Sequence, residues 1–455
     1  MRPTEPDTGT ALTTAPIPAL IVKLAVPASV GFFFNTMFNV VDTFFGGMIS
    51  TQTLAALSLS FPVFFIIIAL GSGLASGATA VIANALGAGL GQEARVLSTQ
   101  TISLACLSAV LLTAVGMLAA RPLFIFLGAG EAYLGDCLVY MYTIFAGTLF
   151  FLGAYAYNAI LNALGDTRSF RNFLIAGFLA NVILDPWFIF GGLGIPAMGI
   201  AGLAFSTILI ELFGALYLAF KVGRTGILGA PGWKDFRPRL EPMMVIIRQG
   251  LPAGINMLTV GLGIFVIIAF ISPFGKAAVA AYGIAVRIEQ LVLLPAIGLS
   301  VATLTLVAHS NGARLFGRIR QTLRAVMVSG GICMAAGGLI ILLLAEACMR
   351  IFSADAEVIR IGAVYLRIDA LALYAYVILS VHVATLQGIK KPGFAVLIGV
   401  MRQIIAPAMT FAILIEICHL GLLSIWWGIC IITWTAAVIT ALYARRLLKK
   451  APVLS

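Results

Sequence analysis

The chain has 455 residues, of which 61% are hydrophobic and only 10% are charged, and its mean hydropathy is +1.10. Soluble globular chains carry about 25% charged residues, so this composition excludes an ordinary soluble protein and predicts an all-α polytopic membrane protein. The net charge of +11 does not predict a nucleic-acid partner, because the basic residues lie mainly in short connections between apolar runs.

Twelve apolar runs are long enough to cross a membrane, because about 20 helical residues span the hydrocarbon core. The polar residues before the first run, 1–16, contain no signal-peptide pattern and are predicted to form a cytoplasmic tail. Residues 446–455 are predicted to form a second one. The predicted spans are residues 17–46, 53–83, 96–120, 134–163, 171–191, 199–221, 243–272, 278–308, 321–347, 359–387, 394–417 and 422–445.

The distribution of Lys and Arg predicts the orientation of the chain. If the N-terminus is cytoplasmic, 22 of the 28 basic residues fall on the cytoplasmic side. Such an asymmetry favours an even number of spans and two cytoplasmic termini. We therefore expect a multi-pass protein of the plasma membrane (the inner membrane in a bacterium) that acts as a monomer in the lipid bilayer.

The sequence repeats itself at a distance of 225 residues, which aligns Pro27 with Pro252 and Arg95 with Arg320. Matches of proline, glycine and arginine carry this argument, because alanine and leucine matches are common in any apolar chain. An even number of spans in each repeat predicts two pseudo-symmetric six-helix lobes, related by an axis along the membrane normal. The predicted lobes and the cytoplasmic linker between them are residues 17–222, 243–445 and 223–242.

The fifth predicted span contains an ionisable side chain at membrane depth, Asp185. Asn181 lies four residues earlier and therefore shares its helix face. Pro186 has no N–H, so the carbonyl oxygen of Val182 loses its helical partner and the helix is expected to break there. A charge in the bilayer interior costs on the order of 3 kcal/mol or more. Asp185 is therefore a candidate functional group, the alternative being a structural role near a helix end.

Four other polar side chains are predicted to lie within the membrane, judged from a rise of about 1.5 Å per residue above the nearest basic residue. They are Asp42 in the first span, Asn158 in the fourth, and Thr207 and Glu211 in the sixth. Glu211 has no evident cationic partner, so a structural and a functional role both stay open for it.

The second half of the chain supplies an internal comparison for the two aspartates. Ile267 aligns with Asp42, and Ala408 aligns with Asp185. A polar group that only the fold required would be expected in both halves, so this comparison favours a functional role for the pair. The acids near the outer ends of later spans are expected instead to be solvated or to form ion pairs with nearby arginines. These acids are Glu289, Glu346, Glu357 and Asp369, and the arginines are Arg287, Arg350, Arg360 and Arg367.

These features resemble the multidrug and toxic compound extrusion (MATE) transporters over nearly the whole chain, and in particular the branch named for DNA-damage-inducible protein F. The residues that carry the resemblance are Pro27 and Asp42 in the first span, Gly165 to Arg168 after the fourth, Asn181, Asp185 and Pro186 in the fifth, and Gly202 to Thr207 in the sixth.

The resemblance implies a cation site and a substrate cavity in the first lobe, and bending of the first span at Pro27. A second site in the other lobe is not expected, because residues 243–272 contain no acid. The implied function is secondary export of organic cations, drugs or other amphipathic compounds in exchange for H⁺ or Na⁺, without a cofactor. The implied cation site is Asp42, Asn181, Asp185 and Thr207, and the cavity residues are Asn35, Tyr140 and Asn158, to which the depth argument adds Glu211.

Four other functions occur among polytopic membrane proteins, and the sequence disfavours each of them. A flippase for lipid or polysaccharide precursors would be expected to have a basic central cavity, whereas the deep groups here are acidic. A channel does not explain duplicated lobes with acids on one side only. A membrane enzyme would need a nucleophile or metal-ligand set, and an ATP-driven pump would need a phosphate-binding GxxxxGK[ST] loop; neither pattern occurs in the sequence.

Overall fold

The computed structural model describes residues 8–192 and 194–450. Every secondary-structure element in these ranges is a helix, apart from one isolated bridge between Gly192 and Ile195. The predictions for residues 1–7 and 451–455, the outer parts of the two tails, lie outside the described residues. Short 3₁₀ turns lie at Trp233–Phe236 and Ser272–Phe274, and π-helical turns lie at Met401–Ile405 and Ile413–Ile417. The α-helices are α1 (Thr8–Thr14), α2 (Ile17–Ile49), α3 (Thr51–Gly87), α4 (Gly91–Phe126), α5 (Glu131–Ala146), α6 (Thr148–Ala163), α7 (Arg168–Phe190), α8 (Ile200–Thr225), α9 (Leu240–Ile271), α10 (Lys276–Val292), α11 (Leu294–Gly312), α12 (Phe316–Arg350), α13 (Ala356–Asp369), α14 (Leu373–Gly388), α15 (Gly393–Val400), α16 (Ala406–Ala412) and α17 (Leu422–Lys450).

Ten helical segments in the described ranges are long and apolar enough to cross a bilayer. Two bent pairs, α5 with α6 (47°) and α13 with α14 (53°), bring the number to twelve if each pair forms one span. Large apolar side chains such as Leu118 and Phe126 are 83% and 86% exposed, as expected of residues that face lipid. The all-α polytopic fold predicted from the sequence is confirmed.

The chain packs into two compact units. The N-unit is Val30–Gly254, and the C-unit consists of the described residues before Val30 and after Gly254. Both borders therefore fall inside long helices, α2 and α9, shortly after Pro27 and Pro252. The borders are also one repeat length apart, so the two halves of the sequence divide at equivalent positions. The lobe bounds drawn from the sequence, with 223–242 as the linker, stay a prediction.

Glycines let helices approach closely at equivalent places in the two units. In the N-unit, a Cβ atom on Gly77 of α3 would lie 2.5 Å from the backbone nitrogen of Gly250 in α9, and one on Gly73 would lie 2.8 Å from the Gly250 oxygen. In the C-unit, a Cβ atom on Gly298 of α11 would overlap the carbonyl oxygen of Ala25 in α2. Gly298 and Ala25 align with Gly73 and Gly250, so the repeat is present in the helix packing and not only in the sequence.

We expect Gly77→Ala to lower the melting temperature of the detergent-solubilised protein, because the added methyl group would force α3 and α9 apart. Overpacking of this kind costs about 1–3 kcal/mol. Gly47→Ala in α2 is the matched control, because a Cβ atom there meets nothing within 4 Å. An exposed glycine in a helix is normally less stable than alanine, so the control should keep or raise the melting temperature. Equal effects of the two substitutions would contradict this account of the packing.

The predicted linker is fastened to α4 by one buried side chain, Gln100. Its Nε2 atom donates to the carbonyl oxygens of Asp235 and Arg237, each at 3.0 Å, and its Oε1 atom accepts from the backbone N–H of Arg239 at 2.8 Å. Arg95 adds an ion pair to Asp235 at 3.5 Å. The first half of the chain thus fixes the start of α9 from the side of α4.

Candidate cation site

Helix α7 carries Asn181 and Asp185 on one face, and both side chains are fully buried. The helix break expected at Pro186 is wrong, because α7 continues to Phe190 and ends at Gly191, whose φ of 79° only glycine adopts easily. Proline has a φ angle that fits a helix, and its cost is limited to one hydrogen bond and local crowding one turn earlier. The spacing of Asn181 and Asp185 therefore stays that of a regular turn.

Helices α2, α7 and α8 bring the two predicted aspartates together in two hydrogen-bonded pairs, which share one face of α7 and form the aspartate group. Asn181 Nδ2 donates to Asp42 Oδ1 at 2.9 Å, although the two residues are far apart in the sequence. Ser206 Oγ lies in close hydrogen-bond contact with Asp185 Oδ1 and 2.9 Å from the carbonyl oxygen of Leu203. A hydroxyl has a single proton to donate, and an ionised Asp185 is the stronger acceptor.

Two buried oxygen atoms of this group, and a third on Asn158 of α6, have no hydrogen-bond partner within the described residues. They are Asp185 Oδ2, Asn181 Oδ1 and Asn158 Oδ1. Leaving a buried acceptor unsatisfied costs about 1–3 kcal/mol. Because Asp185 Oδ2 and Asn181 Oδ1 are both acceptors, a cation bound between them would satisfy both, a proton on Asp185 would satisfy its own oxygen, and another acceptor would satisfy neither.

A cavity of about 70 Å³ lies beside the group within the N-unit. Four of the predicted site residues line it: Asn35, Asp42, Thr207 and Glu211. Its remaining wall is mostly aromatic and aliphatic, which suits an amphipathic ligand, and aromatic faces attract organic cations. The apolar wall consists of Phe38, Phe64, Ile67, Ile68, Phe151, Phe170, Phe173, Leu174 and Ile210.

Tyr140 and Asn158, the other predicted cavity residues, are not among the residues that line this cavity. Tyr140 on α5 is 7% exposed and packs into an apolar cluster of the N-unit. Asn158 on α6 is also buried, with its unpaired oxygen. Thr207 lines the cavity, but its hydroxyl donates to the carbonyl oxygen of Leu203 at 3.1 Å. Pro27 lies in the part of α2 that packs in the C-unit.

Two residues of the site were missed in the sequence. Ser206 donates to Asp185, although the depth argument and the family resemblance both pointed to its neighbour Thr207. Asn39 lines the cavity between Asn35 and Asp42. Spacings of four and three residues place these three on one helix face, and this pattern in α2 is the signal that would have found Asn39.

The interpretation of the outer acids is confirmed for Glu346. Its carboxylate forms ion pairs with Arg367 at 3.1 Å and with Arg350 at 3.7 Å, and all three side chains are largely exposed. Glu357 is exposed at the start of α13 and forms no ion pair with Arg360 among the pairs found in the described part of the chain.

The same interpretation is wrong for Glu289 and Asp369. Both are buried, with 8% and 4% of their surface exposed. Tyr365 donates to Glu289 Oε2 at 2.7 Å. The arginines expected to pair with them, Arg287 and Arg367, are exposed and lie two residues away on the same helices. Two residues correspond to about 200° around a helix, so acid and arginine point to opposite faces.

Comparisons with known proteins agree with this fold. The MatE family model matches residues 27–187 and 252–411, which together make up more than half of the chain. The "Probable multidrug resistance protein NorM" of Thermotoga maritima is 29% identical and covers 90% of this chain and 88% of its own length. The "FAD transporter" of Shewanella oneidensis is 27% identical and covers 87% of each chain.

Solved structures match over almost the full length. One, an outward-facing multidrug resistance MATE family transporter of the MOP superfamily, is 26% identical with a TM-score of 0.90, covering 97% of this chain and 98% of its own. A MOP superfamily transporter from Pyrococcus furiosus Vc1 is 25% identical, with the same TM-score and coverage. The two family-model segments begin at Pro27 and Pro252, the aligned prolines of the repeat. This chain is therefore a multi-pass membrane transporter, not an enzyme, and belongs to the MATE family of multidrug efflux proteins.

Proposed function

We propose that this protein is a secondary antiporter that exports organic cations, drugs or other amphipathic compounds in exchange for H⁺ or Na⁺ through the N-unit. One observation supports this most directly: Asp42 belongs both to the buried Asn181–Asp185 group and to the wall of the aromatic cavity. The coupling cation and a cationic substrate therefore depend on the same carboxylate, so that binding of one disfavours binding of the other.

The proposed exchange follows from the charge of the group. With Asp42 and Asp185 both ionised, two negative charges lie in a medium of low dielectric constant and favour an organic cation in the cavity. A proton or Na⁺ that arrives from outside neutralises part of this charge and releases the substrate. Loss of the cation to the cytoplasm restores the charge and the affinity for the next substrate molecule.

The residues fit either coupling ion. A proton would convert Asp185 Oδ2, an unpaired acceptor, into a donor. Na⁺ would take oxygen ligands from Asp42, Asp185, Asn181 and Thr207, the predicted set, of which two atoms are unpaired.

Efflux from proteoliposomes, with the pH gradient and the Na⁺ gradient imposed separately, tests the proposal. We expect either an inward pH gradient or an inward Na⁺ gradient to drive accumulation of a fluorescent organic cation on the opposite side. An ionophore that collapses the driving gradient should stop this accumulation. A transport rate that is the same with and without each gradient would contradict antiport. An acidic cavity also argues against the alternative, a lipid or polysaccharide-precursor flippase, because Asp42 and Glu211 are the charged side chains among the described lining residues.

The orientation of the chain in the membrane, the bounds of its lobes and its monomeric state are part of the same proposal. The basic residues favour two cytoplasmic termini in a plasma membrane, with residues 223–242 as a cytoplasmic linker between lobes 17–222 and 243–445. Each candidate cavity is complete within one unit of a single chain, which supports function as a monomer in the bilayer. Pro27 interrupts the hydrogen bonding of α2 close to the unit border, which supports its proposed role in bending that helix.

Glu211→Gln is expected to weaken binding of organic cations about tenfold or more and to leave neutral amphipathic ligands unaffected, because Glu211 lines the cavity and has no ion-pair partner among the described residues. Equilibrium binding of a matched cationic and neutral ligand pair measures this effect. Glu93→Gln, at an exposed acid on α4, is the control. A similar loss for both ligands would show that Glu211 shapes the cavity instead of selecting charge.

A further inference from the structure

A second cavity, of about 200 Å³, lies entirely within the C-unit. Its lining includes both signs of charge, from Glu289 and Arg402, and three phenol rings, from Tyr282, Tyr365 and Tyr376. The proposed antiport uses none of these residues. A buried carboxylate and a half-buried guanidinium at membrane depth are both costly, which indicates that they serve a function.

The repeat shows that the two cavities occupy equivalent places in their units. Asn35 and Asp42 line the first cavity, and Val260 and Ile267, one repeat length later, line the second. The polar face of α2 has therefore become an apolar face in α9.

The acid of the second cavity does not lie on the helix that corresponds to α2. Phe64 lines the first cavity, and its aligned residue Glu289 lines the second. The second half has thus kept the cavity and changed its polar groups, which indicates a ligand of different chemistry from that of the first.

The two charges of this cavity do not neutralise each other directly. Glu289 Oε2 accepts from Tyr365 at 2.7 Å, and the guanidinium of Arg402 lies 5.5 Å from the centre of the Tyr376 ring. None of the ion pairs found in the described ranges joins Arg402 to an acid. The carboxylate and the guanidinium therefore border one space from separate positions.

Local backbone geometry places Arg402 at the cavity. The π-helical turn Met401–Ile405 precedes Pro407, which has no N–H to offer to the carbonyl group of Gln403. An inserted turn of this kind rotates side chains relative to a regular helix and is common at functional sites. Gly263 of α9 leaves room for it, because a Cβ atom there would lie 3.1 Å from the Gln403 carbonyl oxygen.

We propose that the C-unit cavity binds a small zwitterion, with the cationic group of the ligand at Glu289 and its anionic group at Arg402. Such a ligand carries no net charge, and it pairs both the buried carboxylate and the half-buried guanidinium at once. The phenol ring of Tyr365, which donates to Glu289 and lines the cavity, suits an ammonium group, because aromatic faces attract cations. A simple cation would leave Arg402 unpaired, and a simple anion would leave Glu289 without a cationic partner.

Three ligands of similar shape test the proposal in calorimetric titrations of the purified protein in detergent. Glycine betaine carries both charges, choline carries only the positive charge, and 3,3-dimethylbutanoate carries only the negative charge. We expect glycine betaine to bind at least about tenfold more tightly than either of the others. Equal binding of choline that persists in Asp42→Asn, in which the proposed cation cavity of the N-unit has lost its carboxylate, would show a cation site in the C-unit. Equal binding of 3,3-dimethylbutanoate would show an anion site, and no binding of glycine betaine would likewise overturn the proposal.

Two variants locate the site. Arg402→Gln should remove the preference for glycine betaine over choline, and Glu289→Gln should remove its preference over 3,3-dimethylbutanoate. Asp42→Asn, which changes the other unit, should bind glycine betaine as the wild type does. Melting temperatures without ligand check that each variant is folded. A preference that survives Arg402→Gln would contradict the assignment, and because binding is measured without a gradient, this result is independent of the proposed antiport.

Discussion

Asp42→Asn is expected to abolish ion-coupled efflux and to weaken binding of organic cations, while the protein still folds and inserts. Asp42 is the residue that joins the two parts of the site, since it accepts from Asn181 and lines the cavity. Asparagine keeps the shape of the side chain but cannot carry the charge that both the coupling ion and the substrate need. The amide can still form a hydrogen bond with Asn181, so the packing should survive.

The measurement is initial efflux from proteoliposomes under the driving gradient, normalised to the amount of reconstituted protein. We expect the rate to fall to that of liposomes without protein. Asp136→Asn is the matched control, because Asp136 is a half-exposed acid of α5 in the same unit and does not line the cavity. Efflux by Asp42→Asn at the wild-type rate would rule out the proposed site.

The parts of this site that follow from local spacing could be predicted from the sequence. Asn181 and Asp185 share a face because they are four residues apart, and this holds in the structure even though the break at Pro186 does not occur. The contact between Asn181 and Asp42 could not be predicted, because depth along a span gives height in the membrane but not direction around the helix. The choice of Thr207 over Ser206 has the same cause, since neighbouring residues differ by about 100° in direction.

The acids of the second half show what a comparison of aligned residues misses. Ile267 in place of Asp42 suggests that the second half has lost its acidic site. The structure instead places Glu289, aligned with Phe64, at the equivalent cavity. A cavity wall is built from several helices, so a charge can move between helices without leaving the cavity, and alignment of single positions does not detect this.

The fold was predictable to the extent that hydrophobic length controls it. The length of the apolar runs predicts the spans, but the bends inside them depend on packing and on single residues. The predicted span 278–308 is two helices, α10 and α11, which separate at Leu293 shortly before Pro295. The unit borders after Pro27 and Pro252 were not expected either, because the polar linker is the more conspicuous boundary in the sequence, whereas packing divides the chain within helices.

Asp185→Asn is expected to abolish coupling as completely as Asp42→Asn but to weaken binding of organic cations much less. Asp185 is fully buried, is held by Ser206, and is absent from the described cavity wall that contains Asp42. Its charge therefore acts on the coupling ion at contact distance and on the substrate only from further away.

Equilibrium binding of a fluorescent organic cation, at high pH and without Na⁺, separates the two variants. We expect the affinity of Asp42→Asn to fall about tenfold or more and that of Asp185→Asn to fall much less, with both silent in gradient-driven efflux. In the wild type, added H⁺ or Na⁺ should displace the ligand, and in both variants this displacement should disappear. If Asp185→Asn loses as much ligand affinity as Asp42→Asn, the two carboxylates form one undivided site, and the separation of a coupling position from a substrate position is wrong.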